Sequence, residues 1–130
     1  MPIWHWDLHK RKPSGGKRRT YRGKRRYEVG GYPAETILGD PKRSVERSTG
    51  GNIKVKLLSD KIVNVADPST GKTVKTSILR VVKNQSNADY DRRGVITKGT
   101  IVATPLGLAK ITSRPGQDGV LNAVLLESAR

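Results

Sequence analysis

The 130-residue sequence has no cysteine, no phenylalanine, and only two Trp and four Tyr. Without cysteine it has no disulfide framework, no thiolate metal site and no thiol nucleophile. It also lacks any run of about 18 apolar residues and any apolar N-terminal stretch of signal-peptide length. These absences predict a soluble intracellular protein, and the length is that of one domain rather than two.

Acidic residues are scarce, since the sequence has 11 Asp and Glu against 26 Lys and Arg. The formal net charge is therefore +15, and the isoelectric point is about 10.6. A net charge this positive predicts the class of partner rather than the fold, because the protein attracts polyanions. The partners it predicts are nucleic acid, an anionic membrane surface or an acidic protein.

The basic residues are densest in HKRKPSGGKRRTYRGKRRY, which spans residues 9–27. Ten of the 17 residues from Lys10 to Arg26 are Lys or Arg, and none is acidic. Such a segment repels itself and has almost nothing apolar to bury, so residues 1–26 are predicted to form an extended arm. Lys and Arg neutralise phosphates, and Tyr21 and Tyr27 offer surfaces on which bases stack. This interleaving favours nucleic-acid binding over a solvated tail or a localisation signal.

Two indoles flank an imidazole at Trp4, His5 and Trp6. In an extended strand both Trp side chains lie on the same side. That placement suits stacking on bases, and it equally suits a hydrophobic anchor that fixes the N-terminus to the rest of the protein. The sequence leaves these two interpretations open.

Residues 27–50 are predicted to be a Gly- and Pro-rich connector whose cations are Lys42, Arg43 and Arg47. From residue 51 the pattern becomes that of short strands separated by Gly/Pro turns. Residues 53–58 alternate with period two, which predicts that Ile53, Val55 and Leu57 share a buried face. The alternating lysines of the same strand, Lys54 and Lys56, then face solvent.

A further strand is predicted at residues 61–66, with Ile62 and Val65 facing inward. Another is predicted at residues 73–83, where the alternation slips between Ile78 and Leu79, which indicates a bulge or a change of sheet. Residues 84–94 are predicted to be a polar loop with one helical turn, and residues 100–104, 108–112 and 120–126 to be strands. Residues 51–130 are therefore predicted to be a small β-barrel-like domain with a Val, Ile and Leu core. The fold class is all-β, with a long extended basic N-terminal arm.

No residues form a convincing catalytic or metal site. His5 and His9 have the spacing of two ligands on one helical turn, but only one carboxylate and no Cys lies near them. The GKT at residues 71–73 lacks the earlier glycine of a phosphate-binding loop and is predicted to be a turn. Asp89 and Asp91 precede two arginines, as in a solvated polar loop. We therefore predict no metal, no cofactor, no small-molecule substrate and no enzymatic activity.

Four segments carry a family resemblance. The first combines Trp4-His5, a basic run into Gly15-Gly16, and a Lys/Arg-rich stretch that ends in Tyr27-Glu28. The others are RSTGGNIKVKLL (47–58), VVKNQSNADY (81–90) and SRPGQDGVLNAVLLE (113–127). Together they cover nearly the whole chain and resemble small-subunit ribosomal protein eight of the archaeal and eukaryotic type, the S-eight-e family. The chain is similar to the archaeal form because it lacks the long insertion of eukaryotic members.

The resemblance implies a structural constituent of the small ribosomal subunit, located in the cytoplasm within the ribosome. Its implied partners are small-subunit rRNA and neighbouring small-subunit ribosomal proteins, with no membrane partner. The alternative that composition leaves open is a chromatin- or transcription-associated β-barrel that binds duplex DNA. The residues predicted to contact RNA are Trp4, His5, Trp6, His9, Lys10, Arg11, Lys12, Lys17, Arg18, Arg19, Tyr21, Arg22, Lys24, Arg25, Arg26, Lys42, Arg43, Arg47, Lys54 and Lys56.

Overall fold

The computed structural model describes residues 3–4, 11–19 and 22–128. The chain divides into two compact units, Met1–Pro33 and Ala34–Arg130. Strands account for most of the regular structure, which confirms the predicted all-β class. Within the described residues, neither α-helix has the length and apolar character needed to cross a bilayer.

The first unit contains two short strands and a tight turn. Strand β1 (Ile3–Trp4) pairs antiparallel with strand β2 (Val29–Gly30). Between them, an isolated bridge joins Arg11 to Lys17. The turn inside that bridge is closed by hydrogen bonds from Lys12 N to Gly16 O (2.8 Å) and from Gly15 N to Lys12 O (2.9 Å). Gly15 has φ +84°, a left-handed conformation that only glycine adopts without strain.

The second unit begins with a hairpin of strands β3 (Lys42–Arg47) and β4 (Ile53–Ser59). A 3-10 turn at Thr49–Gly51 joins them, and the positive φ angles of Gly50 and Gly51 allow the chain to reverse there. The cations of the basic stretch after Pro41 therefore lie on a paired strand. The β-branched pair of Val45 opposite Val55 suits such a ladder.

A six-stranded sheet that curls into a half-barrel forms the rest of the body. Its spatial order is β6-β5-β10-β9-β8-β7, and every neighbouring pair is antiparallel except β5 with β10. The strands are β5 (Ile62–Ala66), β6 (Thr73–Ser77), β7 (Arg80–Lys83), β8 (Ile101–Thr104), β9 (Gly107–Ile111) and β10 (Asn122–Ser128). Helix α1 (Ala88–Arg93) and the single-turn helix α2 (Pro115–Asp118) lie in connections, and α1 confirms the helical turn predicted in the polar loop.

The slip in alternation at Ile78 and Leu79 is neither a bulge nor a change of sheet, because one strand ends there and another strand of the same sheet begins. Ile78 is buried and its N–H bonds Lys61 O, whereas Leu79 is exposed and its N–H bonds Ala103 O. Successive amides thus pair with different strands. The chain consequently passes from β6, at one edge of the sheet, to β7, at the other.

The core of the body is aliphatic, as predicted. Its buried members are Leu57, Val63, Val65, Ile78, Ile96, Val102, Ala109, Ile111, Leu121 and Ala123. Two predictions of inward-facing residues were wrong, at Ile62 and at Ile53.

In β5 the buried residues are the odd-numbered ones, Val63 and Val65, which places Ile62 on the outer side. In β4 burial fades towards the hairpin turn, from Leu57 at 0% exposed to Ile53 at 69%. Alternation fixes which side chains share a face, but the tertiary structure decides which face is covered and how far the cover extends.

Candidate nucleic-acid interface

The described part of the arm exposes a dense group of cations. Arg11 and Lys17 face each other across the tight turn, and the Nη1 of Arg11 donates to Gly15 O at 3.0 Å. The turn therefore brings together basic residues that are six positions apart in sequence. The exposed arm cations are Arg11, Lys12, Lys17, Arg18, Arg19, Lys24, Arg25 and Arg26.

Arg22 differs from these because it is held by an ion pair within the arm. Its Nη2 lies 2.5 Å from Glu28 Oε1, and Glu28 Oε2 accepts the backbone N–H of Arg25 at 2.9 Å. Desolvation raises the pKa of Glu28, but the hydrogen bonds from Arg22 and Arg25 outweigh it and hold that pKa below its ordinary value. This contact shapes residues 22–28, which include the 3-10 turn Arg26–Glu28.

Two tyrosine rings of the first unit are exposed, and the hydroxyl of Tyr27 lies 3.4 Å from Arg22 Nη2. Tyr27 is 79% exposed and Tyr32 60%, although the tyrosine predicted to contact RNA was Tyr21. An exposed ring beside cations is the arrangement on which bases stack in RNA-binding proteins. Tyr27 was noted from its sequence context, while Tyr32 was missed because it lies beyond the basic stretch.

Several predicted site residues lie outside the described residues: His5, Trp6, His9, Lys10 and Tyr21. The predicted pairing of His5 with His9 falls there too. For Trp4 the structure describes the backbone, which pairs with Val29 in the β1–β2 ladder. Whether the indoles stack on RNA or anchor the N-terminus therefore stays a prediction.

The β3–β4 hairpin carries the second group of predicted RNA contacts. Lys42, Arg47 and Lys54 are exposed, and none of their side chains has a hydrogen bond or ion pair to another described residue. Lys56 is more enclosed, and its Nζ lies 2.6 Å from Glu46 Oε2 on β3. Glu46 lies directly opposite Lys54 in the ladder, so it partly neutralises this face of the hairpin.

Arg43 is a structural anchor as well as a cation. Its Nη2 donates to Asp60 Oδ2 at 2.8 Å, and its Nε donates to Gly119 O at 2.9 Å. Asp60 is almost completely buried, and its other oxygen accepts the backbone N–H groups of Lys61 and Ile62. Sequence reasoning assigned Arg43 to RNA contact only, because Asp60 is 17 residues away.

Acidic and basic side chains of the second unit differ in how many of them have a hydrogen-bond or ion-pair partner within the unit. Every acidic side chain described between Ala34 and Leu126 has an internal partner, in these pairs: Glu35 with Arg93, Asp40 with Lys61, Glu46 with Lys56, Asp60 with Arg43, Asp67 with Ser69 and Thr70, Asp89 with Arg92 and Arg93, Asp91 with Asn84 N–H, and Asp118 with Arg114 N–H.

Many cations of the same unit have no such partner among the described residues. They are Lys42, Arg47, Lys54, Lys72, Lys75, Arg80, Lys83, Lys98, Lys110 and Arg114, whose side chains are all exposed. The unpaired charges on the surface of this unit are therefore cationic among the described residues. Seven of these were not among the predicted contacts, although alternation could have found Lys110, which lies between buried Ala109 and Ile111.

Asp89 and Asp91, considered above as a carboxylate pair, have structural contacts. Asp89 lies 2.9 Å from Arg93 Nη2, and Asp91 accepts the N–H of Asn84 at 2.7 Å. Arg93 also donates two hydrogen bonds to Glu35, which lower the pKa of Glu35 because they stabilise the carboxylate. This network ties α1 to the segment before β3.

Comparison with known proteins shows similarity over both units. Residues 6–126 match the sequence model of a family described as Ribosomal protein S8e. The small ribosomal subunit protein eS8 of Methanococcoides burtonii is 50% identical over 118 residues, which are 91% of this chain and 94% of that relative. The protein of the same name from Staphylothermus marinus is 51% identical over 125 residues, 95% of this chain and 98% of the relative. That of Nanoarchaeum equitans is 55% identical over 106 residues, 82% and 84% respectively.

Proposed function

The chain belongs to the Ribosomal protein S8e family, and on that premise we propose that it is a structural constituent of the archaeal small ribosomal subunit that binds the subunit's rRNA. It works in the cytoplasm, within the ribosome and beside other small-subunit proteins. Its role is architectural rather than catalytic, because charge neutralisation and shape, not turnover, are what its surface offers.

One observation carries this proposal: the acidic side chains of the body are engaged internally, while the exposed hairpin cations Lys42, Arg47 and Lys54 are not. Cations without partners do not stabilise the folded protein, because they repel one another. A polyanion supplies the missing partners. RNA phosphates fit best, since Lys and Arg that neutralise them release condensed counterions.

The arm supplies the largest local density of charge. Arg11 and Lys17 are held together by the tight turn, and Arg18 and Arg19 follow directly. We infer that this group neutralises phosphates where RNA strands crowd together. Tyr27, exposed among the cations, stacks on an unpaired base.

The body extends the same footprint. Lys42, Arg47 and Lys54 project from the β3–β4 hairpin, and Arg43 is oriented by Asp60 and Gly119. Paired RNA hides its major groove, so phosphate, 2′-hydroxyl and shape contacts should dominate over base-edge readout.

The salt dependence of binding to archaeal small-subunit rRNA tests the proposal. The full chain is compared with an arm variant (Lys17→Gln, Arg18→Gln, Arg19→Gln) and a charge-matched body variant (Lys72→Gln, Lys98→Gln, Lys110→Gln). We expect the arm variant to flatten the slope of log K against log salt by roughly two to three units, at about 0.7–0.9 units per phosphate contact. The body variant should flatten it by less than about one unit.

Equal slopes for the arm variant and the unaltered chain would contradict phosphate binding by the arm. Duplex DNA of equal length, measured at equal salt, is the comparison for the alternative function. Tighter binding to the DNA than to the rRNA would favour a chromatin-type protein over a ribosomal one.

A further inference from the structure

The second unit has a surface cavity of about 320 Å³ beside β5. This volume is at the lower end of the range for sites that hold small organic ligands. The lining residues on which the argument rests are Pro41, Arg43, Asp60, Ile62, Asn64 and Lys75. Val120 and Leu121 complete the lining. The eight residues come from four separate stretches of the body, so the cavity exists only in the folded unit.

One wall of the cavity carries a fixed cation. Arg43 is held through its Nε and Nη2 by Gly119 O (2.9 Å) and Asp60 Oδ2 (2.8 Å). Its Nη1 has no hydrogen bond to another described residue, and neither has the ammonium group of Lys75. The charges of Arg43, Lys75 and Asp60 sum to one net positive charge. Because Arg43 is already held in place by two hydrogen bonds, its guanidinium can bind an anion without being reordered.

The remaining wall combines an amide with apolar surface. Asn64 donates through Nδ2 to Asn122 Oδ1 at 3.0 Å, which leaves Asn64 Oδ1 without a partner among the described residues. Asn64 lies directly opposite Lys75 in the β5–β6 ladder. Pro41 and the outward-facing Ile62 supply the apolar area. A flat face, a hydrogen-bonding edge and an anion are the three features of one nucleotide.

We propose that this cavity receives a single unpaired nucleotide of the bound RNA. The base lies against Pro41 and Ile62 with its edge at Asn64, and its phosphate lies between Arg43 and Lys75. This inference rests on the proposed function and adds to it a site for an extruded base. Proteins usually recognise RNA sequence through such unstacked bases. A carboxylate of a partner protein would use the cations alone and leave the amide and the apolar wall without contacts.

Chemical probing of archaeal small-subunit rRNA bound to the full chain tests the site. Dimethyl sulfate and 2′-hydroxyl acylation report the exposure of each nucleotide. The variants are Asn64→Leu, which keeps the volume but removes the amide, and Lys75→Gln, which removes the ammonium group. Lys72→Gln is the matched control, because it removes one exposed charge three residues away, outside the cavity lining.

We expect one unpaired nucleotide to be protected by the unaltered chain and by Lys72→Gln, and to regain its reactivity with Asn64→Leu and Lys75→Gln. Protections elsewhere should persist, and the two cavity variants should bind about tenfold more weakly. Circular dichroism checks that each variant is folded. If Asn64→Leu does not fold, the result with Lys75→Gln tests the proposal, because Lys75 is exposed and its replacement should leave the fold intact.

Identical footprints for all four chains would overturn the proposal and leave a partner's carboxylate as the occupant. The absence of any protection by the unaltered chain would instead overturn the proposed RNA-binding function itself. The two failures are therefore distinguishable in one experiment.

Discussion

The guanidinium of Arg43 on β3 donates a 2.8 Å hydrogen bond to the carboxylate of Asp60, a residue that is only 3% exposed. The same side chain bonds Gly119 O, so it joins the β3–β4 hairpin to the turns before β5 and after α2. From the sequence Arg43 was predicted only to contact RNA, whereas the structure shows that its side chain links separate parts of the body.

Replacing Arg43 should therefore destabilise the protein in the absence of RNA. We expect Arg43→Ala to lower the free energy of unfolding by about 2 kcal/mol, because it leaves a buried carboxylate without its charged partner. Arg47→Ala, on the same strand but exposed and unpaired among the described residues, should change it by less than about 0.5 kcal/mol. Urea unfolding followed by circular dichroism measures both, and equal effects would contradict a structural role for Arg43.

A close contact between α2 and β4 makes Gly119 intolerant of a side chain. Gly119 has φ +71°, and a Cβ there would lie 2.7 Å from Val55 Cγ1 and 2.9 Å from Val55 Cβ. We expect Gly119→Ala to cost more than about 2 kcal/mol of stability, since backbone strain and overlap add.

Gly71→Ala is the control for strain alone, because Gly71 has φ +67° and nothing within 4 Å of its would-be Cβ. It should cost roughly 1 kcal/mol. Adding Val55→Ala to Gly119→Ala should recover part of the loss. If the two glycine variants unfold at the same urea concentration, the contact with Val55 is not the cause.

The uneven burial of β4 predicts a large loss of stability at one position and a small loss at another on the same face of the strand. Leu57→Ala should destabilise by about 2–5 kcal/mol, because Leu57 is fully buried and its truncation leaves a cavity. Ile53→Ala should cost less than about 0.5 kcal/mol, since Ile53 is largely exposed. Thermal unfolding separates them, and a large loss with Ile53→Ala would restore the inward-facing assignment made from alternation.

Acid should weaken the contact between Glu35 and Arg93. The pKa of Glu35 is lowered from its ordinary value of 4.5, mainly by the hydrogen bond from Arg93, against a smaller opposing effect of desolvation. Near that pH the unfolded chain binds more protons than the folded one, so the free energy of unfolding rises with pH. The stabilisation is present above pH 4.5 and is lost as pH falls through the lowered pKa of the folded state.

We expect Glu35→Gln to flatten the dependence of stability on pH between about pH 5 and pH 2, measured by urea unfolding. Arg93→Gln should flatten it similarly by removing the hydrogen-bond donor, and the double variant should add little. Parallel curves for Glu35→Gln and the unaltered chain would show that this carboxylate is not coupled to folding.

Much of the fold could be predicted from local patterns. Period-two alternation found β4, β5, β8 and β9 to within a residue at each end. The slip at Ile78 and Leu79, predicted to be a bulge or a change of sheet, lies where β6 gives way to β7 in one sheet. The parallel pairing of β5 with β10 could not be predicted, because these strands are separated by more than 50 residues and nothing local records such a pairing. For the same reason Ile62 was assigned to the wrong face.

Charge density predicted the arm but did not reveal which individual cations pair with carboxylates. Arg22, Arg43 and Lys56 each pair with a carboxylate, and two of those carboxylates are more than nine residues away in sequence. The cavity beside β5 had no local signal, because its walls meet only when β5 lies between β6 and β10.

The sequence by itself determined the strand-rich body, its aliphatic core and the high positive charge of the N-terminal residues, since each follows from composition or from spacing over a few residues. From that charge it predicts a polyanionic partner. The tertiary structure alone decided which face of each strand is covered, which cations are engaged by carboxylates, and where a cavity forms. These depend on contacts between residues far apart in the chain, and such contacts are chosen by the packing of the whole body.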